Sequence, residues 1–151
     1  MRLHDGSITL FNWHERSRRW YTTLFTNVHI EDRASETAMP QSNRIGNDGV
    51  TINLPVNPDK SALVTLPGGN SEVHTYMPPL RYAVQESPSG AYTLSPERDF
   101  VVLDDLYSAE PLEDRGEEGL YSELNATRDY VFMISSRAFY RLIPHFEIAG
   151  R

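Results

Sequence analysis

Apolar and polar residues alternate along two segments of this chain, and this alternation predicts β-strands. In Gly49–Val56 (GVTINLPV), three aliphatic residues alternate with Thr51 and Asn53. The longer segment Tyr21–Asp32 (YTTLFTNVHIED) is rich in Thr, Val, Ile and aromatic residues, which favour strands. Successive side chains of a strand point to opposite faces. Each segment therefore predicts a strand with one face in the core and one face in water, as in an antiparallel sheet.

Other apolar segments extend this β pattern along the chain. Phe100–Leu103 is apolar throughout, which predicts a strand buried on both faces. Pro96 suits the second position of a type I turn ahead of it. Two prolines disfavour a helix start, so the segment that they open is expected to be extended. The predicted strands and extended segments are Ser7–Phe11, Tyr21–Asp32, Gly49–Val56, Ser61–Leu66, Pro78–Val84, Tyr92–Asp105 with its internal turn, Asp129–Ser136 and Pro144–Arg151.

Together these segments predict an all-β fold, with a single domain over residues 1–151. About seven or eight mostly antiparallel strands would form one small β-barrel or sandwich. At most one short helix is expected, within Gly119–Ala126, where Leu120 and Leu124 lie four residues apart. Ala34–Gly49 has no periodicity and is longer than an ordinary connection, which predicts one long loop.

Two polar segments stand out from the predicted strands. Trp13 and Trp20 flank a basic turn that contains Arg16, Arg18 and Arg19. A hairpin with cross-strand aromatic packing is the favoured interpretation, and a contact with nucleic acid or protein is the alternative. The connecting segment 104–126 is acidic and is expected to be solvated or to face a channel; its carboxylates are Asp104, Asp105, Glu110, Glu113, Asp114, Glu117, Glu118 and Glu123.

Composition narrows the classes of function. The formal net charge is -7, and no basic face of the kind that binds nucleic acid phosphates is evident. The chain has no cysteine, which excludes disulfides, thiolate zinc sites and a cysteine nucleophile. No segment has the pattern of a signal peptide or a membrane span, so we expect a soluble protein made without export. Of 14 basic residues only Lys60 is lysine, and arginine is the better partner for carboxylates across an interface.

The segment Asn27–Arg33 (NVHIEDR) concentrates candidate chemistry at a strand end. Strand alternation places His29 and Glu31 on the polar face and separates Glu31 from Asp32. The segment is interpreted as a polar strand end, in which Glu31 or Asp32 pairs with Arg33 or with an arginine of another subunit. If it is a subunit interface, His29 and the arginines of the basic turn are further candidates for it. A metal site would be possible if His145 and Glu147 lay on a neighbouring strand. No nucleophile elbow, P-loop or metalloprotease motif is present, so neither catalysis nor a cofactor is predicted.

Five short segments together give the chain a family resemblance. They are Asn12 at the end of the first strand, VHIEDR (28–33), VTINLP (50–55), YTLSPERDFVV (92–102) and HFEIAG (145–150). In this order they resemble a family of small minor structural proteins from the head–tail connector region of tailed phages. The chain differs from the family pattern at Ile30, where an aromatic residue is usual. It also differs before Asp99, where the family usually has a Gly-Asp turn after the proline.

The resemblance implies a head-closure, or stopper, protein of the virion neck that assembles in the host cytoplasm. Such a protein forms a ring, with six-fold symmetry expected, between the portal and adaptor and the tail terminator or tail tube. It would pass packaged DNA without sequence-specific binding, and the loop 34–49 would contact a neighbouring ring or plug the channel. A tail terminator is the nearest alternative. A β-barrel that binds carbohydrate or single-stranded nucleic acid, or a metal-dependent enzyme, would be a different class.

Overall fold

The computed structural model describes residues 2–32, 49–65 and 69–151. The loop predicted at 34–49 lies outside the described residues except for Gly49. The elements, in chain order, are β1 (Arg2–His14), β2 (Arg19–Asp32), β3 (Val50–Pro55), β4 (Ala62–Thr65), β5 (Ser71–Tyr76), α1 (Pro79–Ala83), β6 (Ala91–Tyr92), β7 (Phe100–Val102), β8 (Leu112–Glu113), α2 (Leu120–Thr127), β9 (Val131–Tyr140) and β10 (His145–Gly150).

Six of the described strands close into an antiparallel barrel. Their order is β1-β7-β9-β10-β3-β2, and pairing between β1 and β2 closes the sheet. The short strand β8 adds to the beginning of β2. Closure leaves the barrel strands without an open edge, which removes the hydrogen-bonding surface through which sheets aggregate. The predicted small all-β barrel is therefore confirmed.

The hairpin of β1 and β2 is the longest part of the barrel. Trp13 pairs with Trp20 across it, and their rings lie 5.1 Å apart, which confirms the predicted aromatic packing. The pairing shifts where Gly6 faces Val28 and Ile8 faces Phe25. Asn27 has a φ of 57° at this irregularity, a conformation that asparagine tolerates better than most residues. The extra residue lets Phe25 and Val28, three positions apart, both point into the core.

Apolar residues form two cores on opposite faces of the barrel wall. Inside the barrel, Ile8, Ile30, Ile52 and Ile148 are fully buried. Outside it, α2 covers β7, with Leu120 and Leu124 packed against Phe100. The strand β7 thus contributes to both cores, as expected from its continuous apolar sequence. The helical turn predicted within Gly119–Ala126 is also confirmed.

Within the segment Pro78–Val84, residues Pro79–Ala83 form a helix, so the prediction of an extended segment is wrong. The helix α1 begins with Pro79 at its first position. The first position needs no backbone N–H partner, and the φ angle of proline already suits a helix. Pro78 is extended, as a residue before proline must be. Buried Tyr82 anchors α1 to the protein. Neither helix in the described residues is long and apolar enough to cross a membrane.

A small second sheet lies beside the barrel. It contains β4, β5 and β6, with β5 antiparallel to β4 and parallel to β6. The strand at Ala62–Thr65 agrees with the segment predicted at Ser61–Leu66. The strand β5 was not predicted. Its inward residues, His74 and Tyr76, attach the small sheet to the barrel: His74 through a hydrogen bond to Thr23, and Tyr76 through aromatic contacts with Tyr92 and Phe146.

Candidate functional site

The predicted cluster at the end of β2 is partly described. His29 Nε2 lies 3.1 Å from Glu31 Oε1, so both residues occupy one face of the strand, as predicted. Val28 and Ile30 are buried on the opposite face. Asp32 closes the strand by pairing with Val50, and its side chain and Arg33 lie outside the described residues. The interface role of these residues stays a prediction.

The arrangement of the strands separates the residues of the hypothetical metal site. The strand β3 lies between β2 and β10, so His29 and Glu147 both pair with Asn53 and are two strands apart. Two strand spacings place their backbones about 10 Å apart. The strands are therefore not neighbours, as that hypothesis required. Within the described ranges, no three His, Asp or Glu side chains form a group suited to a metal ion.

Each arginine of the basic turn has a partner within the chain. Arg16 donates to the carbonyl of Val84 at 3.0 Å and so contacts the end of α1. Arg18 lies 3.4 Å from Glu15, and Arg19 lies 3.7 Å from Glu113. Arg16 also lies 3.8 Å from Glu86. The three arginine side chains are between 42% and 72% exposed, so their ion pairs contribute little to stability. They orient the turn, and whether the turn also meets another subunit stays a prediction.

The acidic segment is partly tied to the barrel. Asp114 Oδ1 accepts the indole N–H of Trp20 at 3.0 Å and the backbone N–H of Leu120 at 2.7 Å, which fixes the start of α2. Asp104 pairs with Arg128 at 3.1 Å. In the described part of the chain, the other predicted channel carboxylates with no cationic partner are Asp105, Glu110, Glu117 and Glu118. These four give the segment its free negative charge.

Asp99 is fully buried and joins the end of β1 to the turn before β7. Its Oδ1 accepts the backbone N–H of Trp13 at 3.0 Å. Its Oδ2 accepts the side chain of Asn12 at 2.9 Å and the backbone N–H of Ser95 at 3.0 Å. Burial raises the pKa of Asp99 to about 7, and the three N–H donors oppose that rise. Asn12 and Asp99, both part of the family resemblance, thus form one structural unit.

The turn that Asp99 closes differs from the predicted type I turn. The backbone N–H of Arg98 donates to Ser95 at 3.3 Å, which places Pro96 second and Glu97 third in the turn. Glu97 has a φ of 66°. A type I turn needs a negative φ at its third position, whereas a type II turn needs a positive one and prefers glycine there. The type I prediction is therefore wrong, because proline at the second position suits both types.

Changing Glu97 to Gly is expected to raise the free energy of unfolding by about 0.5–1 kcal/mol. Glycine adopts a positive φ without the strain that other residues incur, and this gain exceeds its extra freedom in the unfolded chain. Urea denaturation would measure the change. Glu118→Gly is the matched control, because Glu118 is also exposed but has no positive φ. Equal or lower stability of Glu97→Gly than of the unmodified protein would contradict the assignment.

His74 connects the small sheet to the barrel through a buried polar chain. His74 Nε2 donates to Glu72 Oε1 at 3.1 Å, so in the neutral imidazole Nδ1 accepts the hydroxyl of Thr23 at 2.9 Å. Tyr107 donates its hydroxyl to the same Glu72 oxygen at 2.7 Å. The bond from Tyr107, and then that from His74, lowers the pKa of Glu72. Glu72 is therefore a preoriented carboxylate that stays ionised.

The chain of Glu72, His74 and Thr23 contains the same three groups as a hydrolase triad: a carboxylate, an imidazole and a hydroxyl. A nucleophilic hydroxyl must reach its substrate, and it must be activated by the base next to it. Thr23 is fully buried between the barrel and the small sheet. Its hydroxyl therefore cannot attack an external substrate without opening the fold. The chain Thr23–His74–Glu72 is better suited to holding two sheets together.

A pocket of about 310 Å³ lies beside this network. We call it the Glu72 pocket; its described walls include Tyr21, Glu72, Val73, His74, Tyr107 and Ala109. These walls contain one carboxylate and no lysine or arginine. The wall formed by residues 107–109 belongs to the acidic segment, directly between Asp105 and Glu110. The pocket therefore combines apolar and aromatic walls with negative charge.

The turn between β9 and β10 exposes an apolar and basic surface. We call residues 140–143 the hairpin tip: Leu142 is 99% exposed, Ile143 79% and Tyr140 47%. Arg141 lies beside them, and Arg137 is exposed on β9 nearby. Within the described residues, neither arginine has an ion-pair partner. Contiguous exposed apolar residues of this kind mark interaction sites more often than ordinary surface.

A scan against protein families matches nearly the whole chain. Residues 3–151 match the model of DUF6751, described as a family of unknown function. The chain belongs to DUF6751. No curated protein and no solved structure matches it. Nothing in this family assignment addresses the resemblance to phage connector proteins, which stays a prediction.

Two features of this DUF6751 chain were missed from the sequence. Glu72 and His74 are two residues apart, the spacing that places side chains on one face of a strand. That spacing was a usable signal, but neighbouring turns obscured the strand. The hairpin tip carried a second signal, because Arg141, Leu142 and Ile143 directly precede Pro144 at the start of the last predicted strand. Apolar residues in a turn indicate exposure, since turns lie on the surface.

Proposed function

We propose that the protein is a structural subunit of the head–tail connector of a tailed phage, acting as a head-closure ring. The single observation that carries the proposal beyond the sequence is the hairpin tip. Three apolar residues and an arginine with no ion-pair partner among the described residues are exposed there together, on an otherwise acidic chain. A subunit that works by assembly gains from such a surface, whereas an isolated protein risks aggregation through it.

Other properties of the described residues support an assembly role. The closed barrel has no open barrel edge for unwanted pairing. The hydrogen bond between His74 and Thr23 is buried and joins two sheets. A ring subunit needs two different patches that complement each other, because its copies meet head to tail. The basic hairpin tip and the acidic segment are patches of opposite charge.

The acidic segment suits a surface along which DNA passes. Asp105, Glu110, Glu117 and Glu118 would repel phosphates and so prevent DNA from sticking to the ring. This part of the proposal requires the segment to face the channel of the assembled ring. A virion map with the segment on the outer rim would reject it.

Removing the gene from the phage or prophage that carries it tests the proposal. We expect heads that package DNA but do not hold it or join tails, because the closing ring would be missing. Electron microscopy of lysates and DNA release from the heads would measure both defects. Expression of the intact protein in the same cells should restore tailed particles. Normal yields of tailed, infectious particles without the gene would overturn the proposal.

A further inference from the structure

The Glu72 pocket presents half of an ion pair. Glu72 Oε1 is occupied by Tyr107 and His74. In the described part of the chain, Oε2 has no partner, and the Glu72 side chain is 44% exposed. An ionised carboxylate that is already oriented offers a cation a contact at little cost in side-chain entropy.

The surroundings of the pocket determine which cation would fit. The pocket has about 310 Å³, which is more than a bare ion needs. Tyr21 and Tyr107 contribute aromatic surface, which attracts the guanidinium group of arginine. Leu63 and Val73 pair directly across β4 and β5 and are 57% and 59% exposed; strand alternation points Val73 away from Glu72 and His74, so the pair forms an apolar surface on the other face of the small sheet. The pocket therefore suits an arginine, and the apolar surface suits apolar residues next to that arginine in the chain.

The hairpin tip has this composition. Arg141 is followed by Leu142 and Ile143, and between Ile134 and Phe146 the chain carries no carboxylate. None of the residues that line the Glu72 pocket belongs to the hairpin. The tip and the pocket are thus two separate surfaces of one chain that complement each other in charge and polarity.

We infer that the hairpin tip of one copy docks into the Glu72 pocket of the next, with Arg141 binding Glu72 and the apolar tip packing on Leu63 and Val73. The contact joins two different surfaces, so it propagates head to tail and closes into a ring if the rotation between copies allows. It rests on the proposed function, because a connector ring requires a contact of this kind. The free charges of Asp105 and Glu110 beside the pocket add longer-range attraction for the basic tip.

Engineered cysteines test the contact, since the chain has none of its own. One preparation carries Val73→Cys and the other Leu142→Cys, and the two are mixed under mild oxidation. We expect a disulfide-linked dimer of one copy of each. The matched control replaces Leu142→Cys by Leu80→Cys, because Leu80 is 86% exposed on α1 and lies outside the contact. The Val73–Leu142 pair should cross-link about tenfold faster than the control pair, since docking raises the local concentration of the two thiols.

Charge reversal provides the second test. Arg141→Glu in the Leu142→Cys preparation should slow cross-linking about tenfold, because it places like charges together. Arg141 has no partner in the described chain, so this change leaves the fold intact. Glu72→Arg in the other preparation should restore the rate when it is combined with Arg141→Glu. Glu72→Gln keeps the shape of the side chain and removes its charge, so it tests the same ion pair if Glu72→Arg does not fold. It should also slow cross-linking.

Two results would overturn the contact: cross-linking no faster than in the Leu80 control, or a rate insensitive to the charge changes. A negative cross-linking result can be distinguished from a negative result in the gene-removal experiment. If removal of the gene gives tailless heads but the cross-link is absent, the protein is a connector subunit with another interface. If the cross-link forms but tailed particles assemble without the gene, the chain makes a head-to-tail oligomer with a different role.

Discussion

Replacing Asp99 by Ala is expected to lower the free energy of unfolding by about 3–5 kcal/mol. The change leaves three donors without their acceptor: the backbone N–H groups of Trp13 and Ser95, and the side chain of Asn12. Each unpaired buried donor costs about 1–3 kcal/mol, and water restores part of this loss. A domain is usually stable by only about 5–15 kcal/mol, so the variant would be close to unfolding. Urea denaturation would measure the effect.

The matched control for this prediction is Asp129→Ala. Asp129 is exposed and has no partner within the described residues, so its loss should change stability by less than about 0.5 kcal/mol. A cost for Asp99→Ala as small as that of the control would contradict the role of Asp99 as the link between β1 and the turn. Asp99→Asn should fall between the two, because it keeps the size of the side chain but turns one acceptor into a donor.

The ionisation of Asp99 adds a dependence on pH with a definite sign. The pKa of Asp99 is raised from 3.8 to about 7 in the folded protein. Between these values the folded state binds more protons than the unfolded state, so the contribution of Asp99 to stability is lost as the pH rises. The asparagine in the Asp99→Asn variant does not titrate, so the variant lacks this pH-dependent contribution to stability. The difference in the free energy of unfolding between the unmodified protein and Asp99→Asn should therefore become smaller as the pH rises from 3.8 to about 7.

The barrel was largely predictable from sequence, because its strands carry the information locally. In β3, alternation of aliphatic with polar residues follows from one buried and one wet face, and the structure buries Val50, Ile52 and Leu54. In β7 the absence of alternation was equally informative, since the strand lies between two cores. Pairing order was not predictable from these patterns. It depends on contacts between segments distant in sequence, such as β1 with β7.

The errors occurred where one residue type is compatible with two local structures. Proline disfavours the interior of a helix but favours its first position, so the two prolines before Leu80 could mark an extended segment or the start of α1. Pro96 likewise suits two turn types, and only the positive φ of Glu97 distinguishes them. In both cases the deciding factor was tertiary packing, through Tyr82 in the helix and Asp99 in the turn.

The candidate site was less predictable than the fold. Its parts come from β2, β5 and the acidic segment, which meet only when the small sheet docks on the barrel. Tyr107 looked like a residue of a solvated loop, yet its hydroxyl orients Glu72 from 35 residues away. Sequence patterns describe which face of an element is polar. They do not describe which polar faces meet, and that pairing creates the Glu72 pocket.

Replacing His74 by Ala is expected to cost about 2–4 kcal/mol, because it opens a cavity and leaves the buried hydroxyl of Thr23 without its partner. Val73→Ala, in the exposed neighbour, is the control and should cost far less. Thr23→Val removes the hydroxyl at nearly constant volume and should cost about 1–2 kcal/mol.

The double variant Thr23→Val/His74→Ala shows whether the two side chains act as one unit. Each single variant removes the same hydrogen bond between the two side chains. If that bond holds the small sheet on the barrel, the double variant should lose about 1 kcal/mol less stability than the two single variants lose when their losses are added. Chemical denaturation of all four proteins would measure this coupling. Simple additivity would mean that His74 stabilises the fold by packing alone. In that case the orientation of Glu72 would depend on Tyr107, and Tyr107→Phe would weaken cross-linking through the Glu72 pocket more than Thr23→Val does.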